Sequence, residues 1–243
     1  MIPNKTSLEQ VSPAAVVESN LEWALGDDLA QVRARLQSSI QSGYPMVDGL
    51  LSEHLHSNYS RAVIVLGTSR LGSSDRERRV ALAAAIEMLH LAVNIHDIIP
   101  RGEMVIDERM RALLGASILV GDYCFSQASM LAAETDNPAV VSAFSNALSR
   151  VSEQRVVTLL EKPHQAHNDD AILYTSAAEA AALLVGLPRP IRYALKEAAA
   201  AFGEVMTDSE TSLTEAIAHL DNLTKDRPRA KPLVNWLRRR SPV

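Results

Sequence analysis

Apolar residues recur along this chain at helical spacing from one end to the other. Ser12-Pro13 offers an N-cap followed by proline at the first helical position, and predicts a helix running to about Leu25. Gly26-Asp27-Asp28 interrupts it, and Asp27 or Asp28 is placed to cap a second helix. Leu29, Val32, Leu36 and Ile40 give that helix one apolar stripe. Gly43-Tyr44-Pro45 reads as a turn, and Met46, Leu50, Leu51 and Leu55 start another helical face. Arg61 to Leu66 (RAVIVL) is short and β-branched enough for a buried strand. No alternating partner strand exists elsewhere in the chain, so a buried helix is predicted.

A loop around Gly72-Ser73-Ser74-Asp75 leads into a helix from about Arg76 to Ile98 that is apolar nearly all round, which marks it as central to a core. Pro100-Arg101-Gly102 ends it. Further helices are predicted at about 107–133, 138–160, 170–185, 190–206, 209–221 and 229–240, punctuated by Asn137-Pro138, Pro163, Pro188, Pro190 and Pro228. There is no fixed repeat and no low-complexity tract. The pattern predicts one all-α domain built around a buried central helix.

Composition narrows the function classes. The 243 residues are 47% hydrophobic and 22% charged, which excludes a mainly disordered chain. Aromatics make up only 4%, too few for base stacking, and the net charge of −5 offers no basic field to nucleic acid. Arg238, Arg239 and Arg240 form the one local basic run, read as a solvated helix end complementing its dipole in preference to a phosphate or membrane contact. Cys124 stands alone, which leaves no intrachain disulfide and no cysteine-based zinc site. The N-terminus lacks a basic-then-apolar signal pattern, and no uninterrupted apolar stretch reaches the about 18 residues of a membrane span. A cytoplasmic protein without a transmembrane segment is expected.

The chemistry-bearing side chains concentrate on the central helix. Glu87, His90, Asn94 and Asp97 follow i, i+3, i+7, i+10 spacing and draw one polar line, with His96 beside it. Buried polar groups need partners, so the line is either a satisfied core network or a face turned to a ligand. His164 and His167, followed by Asn168-Asp169-Asp170, read as a polar connection in which Asp169 or Asp170 caps a helix. Asp208 and Glu210 point apart at i, i+2 and make a poor acid pair. Gly121 sits inside an apolar helix, where it permits close helix packing, and its neighbour Asp122 needs a partner. Cys124 reads as a small buried hydrophobe, since no basic residue flanks it.

AAAIEMLHLAVNIHD followed by LVGDYCFSQASMLA resembles the central region of the trans-polyprenyl (isoprenyl) diphosphate synthase family, where a helix close to "ELIHTASLIHDDxxD" precedes "LAGDYLLARAFELLA". The segment DDLAQVRARLQSSIQSGYPMVDGLLSEHLHSNYSRAVIVL is similar to the family's N-terminal helices leading into "GGKRLRPALVLL". EAIAHLDNLTKDRPRAKPLVNWLRRR is similar to its closing helices. The likeness covers roughly residues 27–240. It implies an isoprenoid-synthase-like helical bundle over 27–243, preceded by an N-terminal helical extension over 1–26.

The resemblance also sets expectations for the site. Family members hold three Mg²⁺ ions between two aspartate-rich motifs, because hard cations take oxygen ligands and the departing diphosphate must be neutralised. Here the first motif reads Asp97-Ile98-Ile99-Pro100-Arg101 and keeps only its first aspartate. The second is expected to be absent by deletion around FGEVMTDSETSLTEAIAHL. Asp97 is therefore expected to be a metal-ligand remnant insufficient for a three-metal site, with no cofactor and Mg²⁺ only if residual activity persists. Of the isopentenyl diphosphate pocket, Arg61 and His90 match the family's arginine and helix histidine, while Asn58 stands where the lysine belongs and Ser57 precedes it. Arg101-Gly102 and Arg109 match the family's Arg-Arg-Gly loosely, and Tyr174 replaces the lysine before its "TA" helix.

The implied role is a non-catalytic accessory subunit of a heteromeric trans-prenyl diphosphate synthase, working with a motif-intact catalytic partner. Family dimers pack long apolar helices across a two-fold interface, and GDYCFSQASMLA is the candidate for that surface. The single Cys124 excludes the plant small-subunit type with its CxxxC motifs. A homodimeric isoprenoid-binding or regulatory protein, with a possible isoprenoid diphosphate ligand, is one alternative. A weak Mg²⁺-dependent prenyltransferase using Asp97 is the other.

Overall fold

A computed structural model describes residues 21–41, 43, 45–55, 59–97, 107–161, 169–205 and 210–239. Among the described residues the regular structure is helical throughout, with no strand. In chain order the helices are α1 (Leu21–Ala24), α2 (Gly26–Ser39), α3 (Pro45–His54), α4 (Ser60–Ser69), α5 (Arg76–Asp97), α6 (Glu108–Ala133), α7 (Pro138–Glu161), α8 (Asp169–Leu184), α9 (Arg189–Val205), α10 (Glu210–Leu223) and, after a 3₁₀ turn at Pro228–Ala230, α11 (Lys231–Arg239). The expected helix before Leu21, and with it most of the 1–26 extension, lies outside the described residues. RAVIVL is helical, as its lack of a partner strand predicts: all of α4 is buried.

The helix α5 is the hub, packed against α2, α3, α4, α6 and α8. Its residues from Val80 to Ile95 are nearly all buried. By length and composition it is apolar enough to cross a membrane, contrary to the expectation that no segment would be, but most of it is enclosed by the other helices. The second inner helix, α8, touches α4, α5, α7 and α9.

Caps mark where the helices begin. Asp107 accepts a hydrogen bond from the Met110 N–H at 2.7 Å to open α6. Asn137 accepts from the Ala139 N–H at 3.0 Å ahead of Pro138, the first residue of α7. The first turn of α4 has no side-chain cap of its own: Tyr59, in the left-handed region, accepts the Val63 N–H through its carbonyl at 3.0 Å, but its side chain caps nothing there. The buried Glu87 of α5 supplies one instead, accepting from the Ala62 N–H at 2.8 Å. At the far end of α8, Gly186 takes φ +63°, and the Leu187 N–H bonds back to the Ala182 carbonyl, closing a Schellman turn.

Asp27 and Asp28 do not cap α2. The chain passes from α1 into α2 with unbroken backbone bonding through Leu25, and both acids lie inside the first turn. Asp28 instead receives Arg76 Nε at 2.7 Å and Arg79 Nε at 2.9 Å, tying α2 to the start of α5. Burial pushes its carboxyl up, and the two guanidiniums more than offset that, leaving it below the ordinary carboxylate value. At the other end of the chain, Arg238 reaches Asp221 at 3.3 Å, so the basic run is in part a link between α11 and α10.

Two glycines let helices touch backbone to backbone or nearly so. A Cβ on Gly121 of α6 would fall 2.4 Å from His96 Nε2, which is why the long α5–α6 contact is possible. A Cβ on Gly203 of α9 would fall 2.5 Å from the Ala171 Cα of α8, where no side chain can swing away. Gly203→Ala should therefore lower stability by about 3 kcal/mol. Gly115→Ala, at an exposed helical position with nothing within 4 Å of the added carbon, should raise it by up to about 1 kcal/mol. Urea unfolding of both variants checks the contrast; equal effects would contradict the α8–α9 contact.

Candidate functional site

The polar line predicted on α5 divides into three parts. Glu87 is consumed by the fold, capping α4. Asn94 Nδ2 lies 3.1 Å from His90 Nε2, which suits an amide donating to a neutral imidazole. Burial, reinforced by the Arg61 charge, pushes His90 down from 6.5 to about 3. Asp97, at the end of α5, accepts from Arg155 of α7 at 2.7 Å. The line is thus a satisfied network along most of its length.

Arg61 and His90, which the family resemblance pairs, lie near enough for the Arg61 charge to act on the imidazole. Arg61 is buried in the first turn of α4, with its side chain only 5% exposed. Its guanidinium carbon stands 4.8 Å from the centroid of the Tyr174 ring and its Nη2 is ion-paired with Asp170 Oδ1. The Tyr174 hydroxyl in turn shares a 2.6 Å hydrogen bond with Ser60 Oγ, and burial raises the phenol above its ordinary value. Tyr174, noted as a replacement for a lysine, is therefore the platform under Arg61.

The adjacent acids Asp169 and Asp170 connect this cluster to Asp97. Both belong to the first turn of α8, where they were expected to cap a helix or lie in a loop. Instead Asp170 pairs with Arg61, and Asp169 receives Arg155 through Nη2 at 2.7 Å and Nε at 3.0 Å. Arg155 bridges Asp169 and Asp97, so one chain of charges runs from Arg61 to Asp97. Sequence reasoning passed over Arg155 and mistook the two acids. No local signal marked them, because the arginines that hold the two acids stand 14 and 109 residues away.

The Asp97 carboxylate is committed to a guanidinium, and among the described residues no three His, Cys, Asp or Glu side chains stand together as metal ligands. Ser57, Asn58, Arg101, Gly102, His164, His167, Asp208 and the deletion inferred between α9 and α10 lie outside the described residues, as do the side chains of Arg109 and Glu210. Cys124 is fully buried, and burial pushes its thiol up to about 12, which makes it inert as a nucleophile. Asp122 needs no buried partner: its side chain is 64% exposed, and its Oδ1 lies 3.5 Å from His96 Nε2 without a hydrogen bond between them. The His96 ring also stacks on Phe125 at 5.2 Å.

Two predictions test the network. Arg155→Ala removes the cation from Asp169, whose side chain is 9% exposed, and should cost about 3–5 kcal/mol. Asp97→Ala, at a 39% exposed carboxylate, should cost below about 1 kcal/mol by the same urea titration. The second concerns pH. Between about 3 and 6.5 the unfolded chain binds a proton on His90 that the folded chain refuses. Stability is therefore full above pH 6.5 and declines as pH falls toward 3, by up to about 1.4 kcal/mol per pH unit. Burial lowers His96 too, so its contribution has the same sign. His90→Gln should flatten the decline between about pH 6.5 and pH 5; an unchanged slope would mean that His90 is not buried neutral.

Comparison with known proteins agrees with this framework. Residues 53–204 match the family model described as Polyprenyl synthetase. Component 2 of heptaprenyl diphosphate synthase from Geobacillus stearothermophilus is 27% identical over 187 residues, covering 69% of this chain and 57% of that protein. The chain thus spans less than two thirds of that relative. A decaprenyl diphosphate synthase from Rhodobacter capsulatus superposes with a TM-score of 0.63 at 24% identity, covering 76% of this chain and 62% of that one. An FPP/GFPP synthase from Zymomonas mobilis gives 0.69 at 16% identity, covering 91% and 99%. These superpositions share the all-α isoprenyl synthase fold. With well over half of its residues inside the family match, this chain belongs to the polyprenyl synthetase family.

Proposed function

We propose that the chain is a non-catalytic accessory subunit of a heteromeric trans-prenyl diphosphate synthase, acting in the cytoplasm beside a subunit with intact aspartate-rich motifs. The observation that carries this reading is the state of Asp97. The one aspartate left from the first motif is engaged by Arg155, which also holds Asp169. A carboxylate committed in this way is a poor start for a cluster that must hold several divalent cations. Arg61 and His90 are the remains of a diphosphate pocket in which the lysine has become Asn58. That a relative is named as one component of a heptaprenyl diphosphate synthase supports a role within an assembly.

The partner's seat is the outer side of α6 with the last turns of α7. Ile118, Leu119 and Met130 on α6 and Val156, Val157 and Leu160 on α7 are exposed, Leu119 by 71% and Leu160 by 75%. Exposed apolar side chains grouped on two helices are a mark of an interaction surface. Within GDYCFSQASMLA itself, Cys124, Ala128, Leu131 and Ala132 face the core. Contact would therefore fall mainly to Met130 and to residues one turn earlier.

Co-expression with a motif-intact synthase from the same genome should yield one complex by light scattering, with prenyl transfer above that of either chain alone. Leu119→Asp should weaken that complex tenfold or more, which is about 1.4 kcal/mol, while leaving the lone chain folded. Prenyl transfer by this chain alone, abolished in Asp97→Ala, would refute the proposal. A homodimer that ignores every such synthase would also refute it.

A further inference from the structure

The surroundings of Arg61 have the form of an anion receptor that already holds an anion. The guanidinium is buried, its Nε has no hydrogen-bond acceptor among the described residues, and its carbon stands 4.8 Å from the centroid of the Tyr174 ring. The nearby imidazole of His90 is neutral and brings no counter-charge. The anion in contact with Arg61 is the Asp170 carboxylate, and Asp170 is not itself buried, since 36% of its side chain meets solvent. A solvent-facing carboxylate thus closes over an enclosed cation. Carboxylate and phosphate oxygens present the same geometry to a guanidinium, so each can take the other's place.

We infer that Asp170 is a tethered substitute for a ligand: its carboxylate occupies the position on Arg61 that a phosphate or diphosphate group would otherwise fill, and it keeps the receptor shut. Two features strengthen the closure. A tethered group acts at a high effective concentration, which a free anion must overcome. An incoming diphosphate also meets three carboxylates, Asp97, Asp169 and Asp170, against the guanidiniums of Arg61 and Arg155. The Oδ1 of Asp169 is buried without a hydrogen-bond partner and adds to the repulsion. The inference rests on Arg61 and His90 being the remains of a diphosphate pocket, and not on the accessory role.

Thermal unfolding of the isolated full chain tests this directly, with inorganic pyrophosphate compared against sodium chloride at matched ionic strength. Wild type should respond equally to the two salts. Asp170→Asn should unfold at lower temperature in chloride, and millimolar pyrophosphate should raise its Tm by about 3 °C or more beyond chloride. The double variant Arg61→Met/Asp170→Asn should lose that difference. Calorimetric titration should find pyrophosphate bound at least tenfold more tightly by Asp170→Asn than by wild type.

The inference is overturned if wild type binds pyrophosphate as tightly as Asp170→Asn, if the single variant gains nothing over chloride, or if the double variant keeps the gain. Should Asp170→Asn fail to fold in chloride, recovery on refolding with pyrophosphate supports the inference, and failure in both salts overturns it. Isopentenyl diphosphate serves as a second probe. A response equal to that of pyrophosphate assigns the receptor to the diphosphate group alone, and a larger one assigns it to the prenyl ester. Neither measurement involves a partner subunit, so loss of the accessory role would leave this result standing.

Discussion

A buried guanidinium is the constraint around which the middle of this protein is arranged. Removing a charge from water costs several kcal/mol unless it is paired and packed, and Arg61 lies in the first turn of a helix whose residues are all buried. Its requirements reach into several elements. Asp170 must extend from α8 to neutralise it, His90 on α5 must remain uncharged beside it, and the Tyr174 ring must face its charge. The Tyr174 ring meets Phe202 edge-on at 5.1 Å, and Phe202 meets Trp236 at 5.2 Å. The indole N–H of Trp236 then donates to Glu22 at 2.8 Å. A chain poor in aromatics thus places three of them in one column, joining α8 and α9 to α11 and α1.

The second feature is the Arg155 bridge, which joins the end of α5 to the start of α8 from α7. Asp97 sits at the end of α5, where the resembling family begins a cluster of acids for cations. Arg155 delivers a cation to the same place from α7 and holds Asp169 with the same group. A guanidinium carries its charge permanently and binds two carboxylates through separate N–H groups. It can therefore relieve the repulsion between neighbouring acids without recruiting an ion from solution. The acids thereby tie α5, α7 and α8 together.

The helices were largely legible in the sequence because their signals are local. Apolar periodicity, Asn137-Pro138 and Pro188 act within a few residues of the boundaries they set, and the β-branched RAVIVL has no strand elsewhere in the chain to pair with. The charge network was not legible, because its partners are far apart in the chain. Asp170 is 109 residues from Arg61, and Asp97 is 58 from Arg155. Cap reasoning is local too, and it misled at Asp27-Asp28 and at Asp169-Asp170, where a distant arginine competes for the carboxylate and wins. Arg61 and His90 could be paired in advance only through resemblance to a family. Their spacing alone does not bring residue 61 to residue 90.

The helix α6 shows how one segment meets two demands. At 100° per residue, positions three and four apart share a face. Ser117, Val120, Gly121, Cys124, Ala128 and Leu131 turn inward against the core, and small residues dominate where α5 comes closest. Ile118, Leu119 and Met130 fall on the opposite side and stay in water. Cohesion of the bundle thus depends on the inner set of side chains, and the outer set is free to vary without cost to the fold. The inner residues answer to packing, which is shared across the fold, while the acids at the end of α5 and the start of α8 answer only to whatever charge stands opposite them.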